Sequence, residues 1–130
     1  MDSIGKVWSS WKSRLVGGRP ATEPTIWFSE TKLGDVLHVN WDKEPYWSYS
    51  WVDIVVEALT RQHPTERESD AKNAVGERIW MGKVGGIAVK IDLDGSFGIE
   101  ITTQFPEEEA ALEVIERSLK LELIKGDDAG

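Results

Sequence analysis

IAVKIDLDGSFGIEIT, residues 87–102, decides the fold. Ile87, Val89, Ile91 and Leu93 alternate with Ala88, Lys90 and Asp92, and the alternation resumes with Phe97, Ile99 and Ile101 against Gly98, Glu100 and Thr102. A period of two turns one side of each strand to a core and the other to water. Asp94-Gly95 lies between the runs, and a two-residue turn with two positive φ angles favours such a pair, so the stretch reads as an antiparallel hairpin. Upstream, Arg78 to Val84 alternates more weakly, and Gly82-x-x-Gly85-Gly86 reads as a strand running into a tight turn at Gly85 and Gly86. Three sequential strands result.

Outward from this meander, Trp51, Ile54, Val55, Ala58 and Leu59 are spaced as on a helix, with Ser50 and Asp53 in the pattern of a capping box. The stretch 50–62 reads as a helix that ends before Pro64, although Val52, Ile54, Val55 and Val56 are β-branched. Residues 63–77 are polar and read as a loop or a short exposed helix. Thr25 to Lys32 and Val36 to Trp41 read as a hairpin turning at Leu33, Gly34 and Asp35. At the N-terminus, Ile4, Val7, Trp8, Trp11 and Leu15 trace one face of a helix over residues 1–16, stopped by Gly17 and Gly18. Pro106 opens a last helix, with Glu107, Glu108 and Glu109 at its positive dipole end. Its apolar stripe is Ala111, Val114, Ile115 and Leu119, extended by Leu123, with Gly126 as its stop and residues 127–130 as a frayed tail. The expected fold is α+β, one domain over residues 1–130. It is an antiparallel sheet of about five strands with helices packed on it, in the order α-β-β-α-β-β-β-α.

The chain has 130 residues, no cysteine and a net charge of −8. Such a length folds on its own core without staples, and the missing thiols exclude disulfides and thiolate metal sites. No apolar run approaches the roughly 20 residues that span a bilayer, and the N-terminus lacks a signal-peptide core, so the expectation is a cytoplasmic protein with no membrane partner. A pI near 4.8 argues against nucleic acid, whose phosphates require clustered Lys and Arg. The charge is blocked: residues 1–20 carry +3, 21–60 carry −5, 61–90 carry +2 and 91–130 carry −8. Fields of this kind keep a protein soluble and steer basic partners.

Catalytic patterns are absent. His38 and His63 fall in different elements, no metal-binding spacing occurs, and Asp92 and Asp94 lack the further ligands of a calcium loop. The glycine cluster at 82–86 is not followed by a helix whose N-terminus could hold phosphate. No nucleophile motif is present, so the expectation is a non-enzyme without cofactor or metal. The unusual stretch is WDKEPYWSYSW, residues 41–51. Asp42, Glu44, Tyr46, Trp47 and Tyr49 sit in the connection before the central helix, and aromatic rings beside carboxylates suit the anchor of an interface with a basic protein. Two other readings stand beside it: rings that close one end of the core, or a glycan site in which Asp42, Glu44 and Asp53 supply the carboxyls.

Gly86-Ile-Ala-Val-Lys-Ile-Asp-Leu93 is similar to a strand stretch of an immunity-protein family, and a small acidic cysteine-free α+β chain resembles the bacterial immunity proteins that block toxins. The resemblance covers eight residues and implies a toxin inhibitor that binds its partner by complementary charge. The element order also resembles class I type III secretion chaperones, which implies a homodimer binding an effector segment through the last helix or the exposed sheet face. Both resemblances imply a protein-binding chain.

Overall fold

The computed structural model describes residues 23–32, 34–41, 49–73, 76–94 and 98–124. Among them, β1 (Thr25–Thr31), β2 (Gly34–Asn40), β3 (Thr65–Lys72), β4 (Arg78–Val84), β5 (Ile87–Asp94) and β6 (Gly98–Thr103) form one sheet. Every pairing is antiparallel, in the order β1-β2-β6-β5-β4-β3. Two helices, α1 (Ser50–Gln62) and α2 (Ala111–Leu123), pack on each other; α1 rests on β3, β4 and β5, and α2 on β6 and β1. The architecture is α+β as expected, with six strands in place of five. The expected N-terminal helix, the Gly126 stop and the frayed tail lie outside the described residues.

The central hairpin forms with a different turn. Leu93 pairs with Ile99 and Asp94 with Gly98, so Asp94 is a strand residue and the connection spans 95–97, outside the described residues. A two-residue turn at Asp94-Gly95 would put Ile99 opposite Lys90, on the outer face. The observed register instead sets Ile101 opposite Ile91, because a one-residue slip would turn the whole apolar set of β6 into water. Gly98, at φ +82°, starts β6 where a Cβ would come within 2.8 Å of Asn40 Oδ1. The Gly85-Gly86 turn is as expected: Val84 pairs with Ile87 across two residues at φ +59° and +84°. In the first hairpin Thr31 pairs with Gly34, so Gly34 and Asp35 already belong to β2.

The main correction is β3. TERESDAK offers no apolar alternation, yet it is a strand at the sheet edge, where one side needs no core partner. Gly85 N–H donates to the Pro64 carbonyl at 2.8 Å, tying the start of β3 to the β4–β5 turn.

Helix α1 has the expected bounds and buries Trp51, Val52, Ile54, Val55, Ala58 and Leu59. Tyr49, and not Ser50, occupies the N-cap, without a side-chain cap bond, and Asp53 meets Arg78. Pro106 opens a single 3-10 turn, Pro106–Glu108, and the α-helix begins only at Ala111. The buried face of α2 is Leu112, Ile115, Ser118 and Leu119, while Val114 is 41% exposed. Leu112 displaces Ala111 from the expected stripe because it removes more apolar area from water. The core between sheet and helices holds Leu37, Leu59, Ile91, Leu93, Ile99 and Ile101 fully buried, each contributing about 1.5–3 kcal/mol.

Candidate functional site

Asp42, Glu44, Tyr46 and Trp47 lie outside the described residues. Tyr49 and Trp51, the end of the aromatic stretch, are described. Trp51 is buried against Trp41, with ring centroids 5.1 Å apart. Tyr49 is half-buried against the core; its hydroxyl donates to the Asn73 carbonyl, and Lys72 Nζ stands 5.6 Å from its ring centre. The Tyr49 carbonyl accepts from Arg78 Nη1 at 2.8 Å. Arg78, 5% exposed, also makes a bidentate pair with Asp70, at 2.8 Å and 2.6 Å, and reaches Asp53 Oδ1 at 3.0 Å. This planar fork matches a carboxylate, so the guanidinium holds the Asp70 carboxyl below the usual carboxylate range. The chain leaving the aromatic stretch is thereby clamped to β3 and β4 at the start of α1. Sequence reading missed Arg78 because a single arginine in a weakly alternating strand carries no sign of its partners.

A second acidic feature lies at the opposite side of the sheet. Gly34, at φ +123°, lets the chain turn into β2 with no side chain in the way, since a Cβ there would strike Glu109 Oε2. The 3-10 turn brings Glu109 to that point, where Oε2 accepts the Asp35 backbone N–H at 2.8 Å. The result is a cleft of about 690 Å³ between the end of β1 and the first turns of α2. Five carboxylates line it, Glu30, Asp35, Glu109, Glu113 and Glu116, together with Phe28; among the described residues no basic side chain lines it, and Lys120 Nζ reaches Glu116 at 3.2 Å. Partial desolvation, then the charges of Glu109 and Glu30, push the Asp35 carboxyl above its usual range. Among the described residues no three His, Asp or Glu side chains converge as metal ligands. Such a spread of carboxylates suits ammonium and guanidinium groups. The acidic run before α2 was visible in the sequence, but its meeting with Glu30 and Asp35 depends on strand order.

The two histidines are far apart in role. His38 on β2 stacks on Trp27 at 4.9 Å and 8°, with Nε2 2.7 Å from Ser29 Oγ and Nδ1 4.0 Å from Glu100. His63 Nε2 lies 2.7 Å from Ser118 Oγ. That hydroxyl donates to the Val114 carbonyl at 3.0 Å, so it accepts the proton of His63 Nε2 and ties the end of α1 to α2. Among the described residues no helix is long and apolar enough to cross a membrane. No protein-family model, curated protein or solved structure matches the chain.

Proposed function

We propose that this chain is an inhibitor of immunity type, which neutralises a basic toxin by binding it through acidic and aromatic surface. The observation that carries the reading is the cleft beside β1, where five carboxylates gather with no base among its described lining residues. Lys120 Nζ meets Glu116 at 3.2 Å, but like charges at the remaining four carboxylates cost stability, and a basic partner would relieve that cost on binding. Asp42, Glu44, Tyr46, Trp47 and Tyr49 remain in the proposal as partner-binding residues, on the ground of their acidic and aromatic chemistry.

The test is a pull-down from host lysate with the tagged protein, washed at low and high salt and read by mass spectrometry. The expected result is one basic protein released by salt. It should bind more weakly to the double variants Asp42→Lys/Glu44→Lys and Glu30→Lys/Glu113→Lys. Retention of the same protein by both variants, with unchanged salt dependence, sinks the reading.

One observation favours the alternative of a chaperone-like dimer. Val114 and Leu121, 41% and 65% exposed, stand about two turns apart on α2 as an apolar line. A doubled mass in light scattering that Leu121→Glu abolishes would move the weight to that reading.

A further inference from the structure

The two edges of the sheet are built differently. β3 carries five charged residues in eight and a register shift between Arg67 and Ser69, both devices that stop a foreign strand from adding to an edge. β1, TIWFSET, has one charge in seven and pairs with β2 residue by residue with no shift. It alternates Ile26 and Phe28, turned to the helix side, with Trp27 and Ser29 on the outer face, where Trp27 is 38% exposed. Among the described residues no strand lies against its outer side. The acidic cleft opens along the helix side of this edge, at Phe28, Ser29 and Glu30.

From these two features we infer that β1 accepts an extended segment of a basic partner as a seventh strand. The segment would carry lysine or arginine at alternate positions, so that every second side chain enters the cleft of Glu30, Asp35, Glu109, Glu113 and Glu116 while the others cross Trp27. Backbone pairing supplies the affinity, and the alternate pockets supply the selectivity. A second copy fits less well, since it would bring five more carboxylates to the same seam. The inference rests on the inhibitor reading and specifies how its partner is held.

The probe is a synthetic peptide of alternating lysine and threonine, about ten residues long, titrated into the full chain and followed by tryptophan fluorescence. Two further peptides carry N-methyl groups on all the lysines or on all the threonines. In a paired strand only every second N–H faces the neighbour, so one methylated peptide should bind about tenfold or more weakly than the other. Glu30→Lys/Glu113→Lys should abolish binding of the parent peptide. No binding, or equal weakening by both methylation patterns, overturns strand addition, as does a protein dimer that the peptide dissociates. A basic partner that the chain retains from lysate but the peptide cannot displace leaves the inhibitor reading standing and overturns this one. Peptide binding with the methylation signature and no partner in the lysate does the reverse.

Discussion

Arg78 shows how much one buried charge can organise. With Asp70 bound edge-on, Asp53 beside it and the Tyr49 carbonyl on its third nitrogen, it is an ion pair whose partners meet its geometry. Arg78→Met strands Asp70, whose side chain is 14% exposed, and is expected to cost about 3 kcal/mol in urea unfolding. Asp53 adds little to that figure, because it is 54% exposed and can rehydrate. Replacing both partners, Arg78→Met with Asp70→Leu, should recover much of the loss. The pH dependence follows from the lowered Asp70 carboxyl. Its contribution is complete above the ordinary Asp value of about 4 and disappears as pH falls through the lower folded value. Unfolding midpoints between pH 2 and pH 5 should therefore slope less steeply in Asp70→Asn than in the parent chain. Asp35 has the opposite sign: its raised carboxyl is most burdensome when ionised, so Asp35→Asn should stabilise the fold at neutral pH and lose that advantage in acid.

At the scale of elements, the edge strand β3 is held by features that its composition hides. Gly82 on β4 faces the irregularity at Arg67; a Cβ there would strike the Glu66 carbonyl and lie 2.7 Å from the Trp80 ring. Gly82→Ala is expected to cost about 1–3 kcal/mol and to release the β3 amides to hydrogen exchange before those of β5. Gly85→Asn should be nearly neutral by the same measurement, since Asn tolerates the left-handed backbone of that turn. These contrasts also mark what could be read from the chain. Helix α1 and strands β1, β2, β4, β5 and β6 were legible because apolar periodicity reports directly on burial. β3 was not, because an edge strand with charged side chains has the composition of a loop. The start of α2 was misplaced for another reason: Pro106 marks where a helix can begin, and a 3-10 turn satisfies that mark as well as an α-turn does.

The whole molecule carries −8, and its acidic cleft sits at one sheet edge rather than being spread over the surface. The rate of association with a basic partner should fall about tenfold or more between roughly 0.05 and 0.3 M salt, while the dissociation rate changes less, as stopped-flow mixing would show. The acids of the last segment were visible in the sequence, but Asp35 lies 74 positions before Glu109 and Glu30 further still, and only the strand order joins them. That same order governs assembly. β3 to β6 form a meander of sequential neighbours, whereas β2 meets β6 through Leu37, His38 and Val39 across the rest of the chain. Local pairings form faster than those that must first close a long loop. Pulse-labelled exchange should therefore find β4 and β5 protected before the β2 amides that face β6. For a chain made from its N-terminus, the β1–β2 hairpin leaves the ribosome before β6, with Ile26, Leu37 and Val39 uncovered in the meantime. A nascent-chain chaperone would have that interval in which to bind it.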